Sequence, residues 1–190
     1  MLALLKHEGV ASLEKVRILE VGCGMGNWLR DVVRWGARPG NVHGVDLLTE
    51  RVDAARRSVA PGVTVSQGDI SALSYPDASF DLVIQSTVFS SILDEDRRKR
   101  TAAEMRRVLR PGGFILWYDL RVHNPANPNV RAIAQDELPL LFPGSRIRAE
   151  RITLAPPIAR ALAPISTLAC DVLSLIPWLR THTLASIRPA

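Results

Sequence analysis

Arg17-Ile18-Leu19-Glu20-Val21-Gly22-Cys23-Gly24-Met25-Gly26-Asn27-Trp28 reads as a buried strand, a glycine-rich turn and the start of a helix. Ile18, Leu19 and Val21 form a short apolar run with one acid in it, the pattern of a central parallel strand packed on both faces. Glu20 falls at its carboxyl end. Gly22, Gly24 and Gly26 then alternate, leaving backbone bare where a ligand can lie against it and where positive φ is needed. Trp28, Leu29, Val32 and Val33 follow at helical spacing over 27–35, and Gly36 supplies the stop. A strand, a glycine turn and a helix N-terminus together make a nucleotide-type pocket. The dinucleotide fingerprint G-x-G-x-x-G requires glycine at position 27, where this chain has Asn27. The pattern here is E-x-G-x-G-x-G.

Downstream, strands and helices alternate, as in an α/β sheet. Val42-His43-Gly44-Val45-Asp46 is a short apolar segment ending in an acid, about twenty residues past the glycine turn, where such folds set a carboxylate against ribose hydroxyls. Thr49 is expected to cap the next helix, whose buried stripe is Val52, Ala55 and Val59. Val63-Thr64-Val65 reads as the third strand and runs into Gly68-Asp69-Ile70; Phe80 to Ile84 is the fourth. A helix over about Glu95 to Leu109 stops at Arg110-Pro111-Gly112-Gly113, and Phe114 to Tyr118 is the fifth strand. Beyond it come a loop over 124–128, a helix over Ala132 to Phe142 and a strand over Arg146 to Leu154. A mostly apolar helical stretch, Pro157 to Leu179, then leads to a last strand over Thr181 to Ile187.

At 190 residues the chain fits one domain, 1–190, with enough length for a real core. The net charge of +5 is carried almost wholly by arginine, since Lys6, Lys15 and Lys99 are the only lysines. The arginines are scattered or lie beside acids, as in Asp94-Glu95-Asp96-Arg97-Arg98-Lys99-Arg100, so a solvated helix face is favoured over a nucleic-acid patch. Cys23 and Cys170 have neither metal-ligand nor redox-pair spacing, which fits a reduced, cytoplasmic setting. Met1 to His7 lacks the charged start and cleavage signal of a secretory peptide. It reads as a helix end, with 1–15 the remnant of a cap over the site.

Four positions in order, over roughly residues 15 to 120, give the chain a resemblance to the class I S-adenosylmethionine (SAM)-dependent methyltransferases. They are Glu20 to Gly26, Asp46, Gly68-Asp69-Ile70 and Leu109-Arg110-Pro111-Gly112-Gly113. The resemblance implies a Rossmann-like three-layer αβα sandwich. Its seven-stranded, mostly parallel sheet is ordered 3-2-1-4-5-7-6, with strand 7 antiparallel and SAM at the carboxyl ends of strands 1, 2 and 4. It further implies that Glu20 faces the methionine ammonium, that Gly22, Cys23 and Gly24 meet the cofactor through backbone, and that Asp46 accepts the ribose hydroxyls. Leu47 and Ile70 would sandwich adenine, Asp69 beside Gly68 would receive its amino group, and Gln85 would border the site. Cys23 looks like a small turn residue and not a nucleophile.

The chemistry expected is methyl transfer to an oxygen, nitrogen or carbon aligned with the methyl–sulfur bond, with a general base only where the acceptor must lose a proton. Tyr118, Asp119 and His123, after strand 5, are the catalytic candidates, with Gln85, Ser86 and Arg121 nearby. Gln85-Ser86-Thr87-Val88 stands where adenine- and glutamine-directed relatives carry an Asn/Asp-Pro-Pro-aromatic motif, which argues against those acceptors. No metal constellation accompanies Asp119. Thr181-His182-Thr183-Leu184-Ala185 is similar to the last strand of surface-glycan methyltransferases, which favours a small-molecule or glycan acceptor and O-methylation. A non-catalytic partner subunit and an RNA methyltransferase are the competing readings.

Residues 124–180 read as an insertion on the substrate side or at an interface. Within them the stretch 154–179 carries only Arg160 and Asp171 as charges and is broken by prolines at 156, 157, 164 and 177, which argues against a continuous membrane-spanning helix. It is expected to form a homodimer interface, with peripheral contact to a lipid-linked substrate or membrane as the second choice.

Overall fold

The computed structural model describes residues 1–123 and 127–189. Part of the loop expected over 124–128 therefore lies outside the described residues. In chain order the elements are α1 (Leu2–His7), β1 (Ile18–Val21), α2 (Asn27–Arg34), β2 (Val42–Asp46), α3 (Thr49–Ser58), β3 (Thr64–Gln67) and β4 (Phe80–Ser86). They continue with α4 (Glu95–Arg107), β5 (Leu109–Leu120), α5 (Leu138–Leu141), β6 (Arg146–Leu154), α6 (Pro156–Leu162), α7 (Thr167–Ser174) and β7 (Arg180–Arg188). The strands form one seven-stranded sheet in the order β3-β2-β1-β4-β5-β7-β6. Pairing is parallel from β3 through β5, and β7 runs antiparallel to both β5 and β6.

All four residues of β1 are buried, because this central strand has helices on both of its faces. Ile18 faces the side covered by α1, α2 and α3 through Leu4, Leu5, Leu29, Val32, Val52 and Ala55. Leu19 and Val21 face the side covered by α4 and the segment around α5, where Ala102, Met105, Ile133, Leu138 and Phe142 pack with Trp117. Period-two alternation thus divides the apolar side chains between two cores, giving three layers.

Several local expectations shift. Thr49 is the first helical residue of α3 and not its cap; Leu48 holds that place without a side-chain bond. The helix read over 132–142 is instead a 3₁₀ turn, Gln135–Glu137, followed by the short α5, because Pro139 suits only the first turn of a helix. The helix read to Leu109 ends at Arg107, and β5 begins two residues later with an irregularity between its Phe80 and Leu82 pairings that takes up Arg110 to Gly113. The arginines of α4 are not all solvated: Arg98 is 2% exposed, its guanidinium donating to the carbonyls of Ile92 and Leu93.

The segment 1–15 does not cap the carboxyl ends of the parallel strands. Glu8, following α1, accepts from Ser186 Oγ at 2.7 Å and from Arg188 Nε at 2.6 Å, near the end of the antiparallel β7. That is the opposite end of the sheet. Leu4 and Leu5 enter the core on the way, so apolar burial and an ion pair together place the helix there.

The connection from β6 to β7 consists of α6, α7 and a 3₁₀ turn at Pro177–Leu179. Since β6 is antiparallel to β7, it runs with β5 and ends where β1, β2, β4 and β5 end. Among the described residues no helix is long and apolar enough to cross a membrane.

Candidate functional site

Parallel strands deliver their carboxyl-terminal residues to one edge, and there β1, β2 and β4 open a crevice. A cavity of about 440 Å³ lies in it, within the usual size of small-molecule sites. Glu20, the Gly22–Met25 turn, Asp46, Leu47, Ile70 and the residues just after β4 line it, with Trp28 of α2, Arg51 of α3 and Arg97 of α4 at its sides.

Glu20 is 2% exposed, and its Oε2 meets no hydrogen-bond partner among the described residues. Burial holds its carboxyl well above the usual carboxylate range; the charges of Asp46 and Asp31 add to this, and the backbone N–H of Leu29 offsets part of it. A buried carboxyl with an oxygen that no group of the described residues engages, lining a cavity, suits a cationic donor. Asp46 is also buried, but its oxygens are occupied from within: Oδ2 accepts the Gly24 N–H at 2.9 Å and Oδ1 the Leu48 N–H at 3.0 Å. Each oxygen keeps a further lone pair toward the cavity.

The two leading glycines have different reasons. Gly24 has φ +53°, and a Cβ there would project into open space, so its bareness leaves room beside the turn. Gly22 has φ +68°, and a Cβ there would lie 2.4 Å from Val88 Cγ2, so its bareness lets the segment after β4 close on the turn. Cys23 is 4% exposed, and burial followed by the charges of Glu20 and Asp46 pushes its thiol up to about 12. An un-ionised thiol of this kind is inert, in agreement with its reading as a turn residue.

The structure brings Glu20, Gly22, Cys23, Gly24, Asp46, Leu47, Ile70 and Ser86 to the cavity, and leaves Gly68, Asp69, Gln85 and Arg121 outside its lining. Gly68 and Asp69 border a smaller hollow beside His43 and Tyr75. Asp69 Oδ1 accepts from Ser71 N at 2.9 Å, Ser71 Oγ at 2.8 Å and Arg97 Nη2 at 3.2 Å, bonds that hold its carboxyl below the usual range. Gln85 is fully buried; it accepts the Val88 N–H at 3.2 Å and donates to the Tyr118 carbonyl at 3.4 Å. Its side chain shapes the turn after β4.

None of the three catalytic candidates lines the cavity. Asp119 is wholly buried, accepting the backbone N–H groups of Phe89 (3.0 Å), Ser90 (3.3 Å) and Leu120 (2.8 Å), and burial raises its carboxyl above the ordinary range. It anchors the segment after β4. Tyr118 points to the other face of β5, its ring stacked on His182 with centroids 4.8 Å apart and its hydroxyl 3.0 Å from Thr153 Oγ1. That stack gives His182 a packing role. His123 is exposed beyond the end of β5.

Sequence reasoning missed Thr87, Val88, Ser91, Ile92 and Arg97 at the cavity. A signal existed for the first two, because they directly follow a buried parallel strand. Thr87 has φ +55°, uncommon for a threonine and frequent at functional turns. Arg97 bonds Asp69 and keeps a buried Nε without a partner among the described residues.

A 3-2-1-4-5-7-6 sheet with a glycine turn after β1 and acids at the ends of β1 and β2 defines the class I SAM-dependent methyltransferase architecture. The family described as "Methyltransferase domain" matches residues 18–113, and the chain belongs to it. S-adenosylmethionine is the cofactor of that family. A fatty-acid O-methyltransferase of Mycolicibacterium smegmatis is 38% identical over 133 residues, which are 69% of this chain and 47% of that protein. Phthiotriol/phenolphthiotriol dimycocerosates methyltransferase 1 of Mycobacterium ulcerans is 36% identical over 109 residues, 57% of this chain and 39% of that one. The chain thus spans less than half the length of these relatives. A solved SAM-dependent methyltransferase from Archaeoglobus fulgidus superposes with a TM-score of 0.69 at 17% identity, covering 99% of this chain and 92% of that chain, a likeness of fold.

Proposed function

We propose that this chain binds SAM at the carboxyl ends of β1, β2 and β4 and transfers its methyl group to an oxygen of a small, largely apolar acceptor. The observation that carries it is the vacant, buried carboxylate oxygen of Glu20 facing the same cavity as Asp46. Glu20 would take the ammonium of the methionine moiety, and Asp46 would receive ribose hydroxyls on the lone pairs left by Gly24 and Leu48. Leu47 and Ile70 offer apolar surfaces for adenine, with Gly68 and Asp69 behind them. The open side of Gly24 admits the cofactor against the turn.

Bound there, the cofactor supplies a methyl group made electrophilic by its sulfonium. The chain's own task is alignment and exclusion of water. Asp119 and Gln85 act by holding Thr87 to Ser90 in place, through their bonds to the N–H groups of Val88, Phe89 and Ser90. A carboxylate acceptor needs no base, and the named fatty-acid O-methyltransferase supports an acceptor of that chemistry.

The test is calorimetric titration with SAM, followed by transfer of labelled methyl from SAM to a fatty acid, a long-chain alcohol and a glycan. Binding with transfer to the fatty acid is expected. No SAM binding would refute the site, and binding without transfer to any acceptor would favour a non-catalytic partner subunit.

A further inference from the structure

Apolar side chains left in water mark surfaces that something covers. Among the described residues twelve large apolar side chains are exposed, and five of them, Ile165, Leu168, Val172, Leu175 and Trp178, fall within the β6–β7 connection. No residue from Ala155 to Leu179 is buried, so the apolar side chains of α6 and α7 are at most partly covered. Trp178, at 80% exposed, sits at the tip of the 3₁₀ turn.

Charge says what covers it. Arg121, Arg151 and Arg180 are linked beside this connection: Arg121 Nη1 donates to the Arg180 carbonyl at 3.0 Å, Arg180 Nη1 to the Arg151 carbonyl at 3.0 Å, and Arg180 Nε to the Ser174 carbonyl at the end of α7. Arg160 lies on α6. None of these four is in an ion pair among the described residues, while the connection itself holds a single acid, Asp171. Their positive charge is therefore uncompensated by ion pairs among the described residues. A second copy meeting this face across a two-fold axis would bring the same arginines toward one another, which opposes the self-association expected from the sequence. An anionic surface that also accepts apolar side chains satisfies both features at once.

We propose that α6, α7 and the Pro177–Leu179 turn dock on an anionic phospholipid bilayer, the apolar side chains entering the interface and Arg121, Arg151, Arg160 and Arg180 meeting the headgroups. Exposed tryptophan is a favoured interfacial anchor. The connection leaves β6 at the end of the sheet where the cavity opens, so docking would bring the cavity's end toward the lipid. The proposal concerns this surface alone and stands or falls separately from methyl transfer.

The test is flotation of the full chain with vesicles of phosphatidylcholine alone and of phosphatidylcholine mixed with phosphatidylglycerol. Binding to the mixed vesicles is expected to be at least about tenfold stronger and to weaken in high salt. The exposed pair L175E/W178E should reduce it by about tenfold or more while unfolding at the wild-type temperature. If that variant does not fold, the dependence on phosphatidylglycerol in the wild type decides. Equal binding to both vesicles, no binding, or undiminished binding by the folded variant would overturn the proposal. So would a concentration-dependent dimer dispersed by the same substitutions in a protein that ignores vesicles.

Discussion

Replacing Glu20 by Gln separates two consequences of one buried carboxyl. The residue is 2% exposed, Oε2 has no partner, and burial holds its pKa well above the ordinary 4.5. A folded state that holds this proton more tightly than the unfolded chain is fully stabilised by it below the unfolded pKa. That stability is lost as pH rises toward the folded pKa, by up to about 1.4 kcal/mol per pH unit. The amide does not titrate. Wild type should therefore lose stability relative to Glu20→Gln as pH increases above 4.5, read by denaturant unfolding over a pH series. The slope is the diagnostic, because the amide's NH₂ group occupies the same buried place and shifts the absolute stability of the variant. In SAM binding the substitution removes a charge-assisted bond, a loss of about 1.5–3 kcal/mol, or roughly 10- to 150-fold in Kd. Calorimetry in buffers of different ionisation enthalpy should also show proton release on binding to wild type below the folded pKa, and less from the variant. Parallel pH profiles with unchanged affinity would refute both the burial argument and the assignment of Glu20 to the ammonium.

Asp46→Ala should weaken SAM binding by about 1.5–3 kcal/mol and lower the unfolding temperature, since the Gly24 and Leu48 N–H groups lose their acceptor; unchanged affinity by calorimetry would remove Asp46 from the site. Gly24→Val should cost about 1–2 kcal/mol of stability for a branched residue in the left-handed region yet stay folded, and should abolish SAM binding. A folded Gly24→Val protein with normal affinity would show the turn to be structural only. Asp119→Ala should destabilise by more than about 3 kcal/mol by leaving the two buried N–H groups of Phe89 and Ser90 and the half-buried one of Leu120 without an acceptor. Denaturant unfolding within about 1 kcal/mol of wild type would deny its anchoring role.

The sheet was legible because its signals are local: buried runs recur along the chain, and glycines or acids mark the ends of β1, β2 and β3. Strand order and the antiparallel β7 came from resemblance, since nothing within Arg180–Arg188 itself states which neighbour it pairs with. Glu20, Gly24 and Asp46 were legible for the same local reason. Asp119 and Gln85 were misplaced because a polar residue at a strand's end looks alike whether it faces a cavity or ties down a neighbouring loop; the partners that decide it, Phe89 and Ser90 for Asp119 and Tyr118 for Gln85, lie about thirty residues away. Gly44 carried no motif, yet a Cβ there would press within 2.7 Å of Leu29 Cδ1 and 2.9 Å of Cys23 Sγ, a requirement set by packing between elements. Arg98 escaped notice in a charge-rich run because its carbonyl partners belong to the preceding loop.

The two cysteines differ in a way that equips the molecule for spectroscopy. Cys23 is sealed under the glycine turn, its thiol pushed up to about 12, whereas Cys170 is half-buried on α7. At neutral pH a thiol-directed nitroxide or fluorophore should therefore mark a single position of the unaltered sequence. That position lies on the helix pair bearing Leu168, Val172 and Leu175, so the label's mobility and its accessibility to oxygen or nickel quenchers report immersion depth there, with no engineered residue.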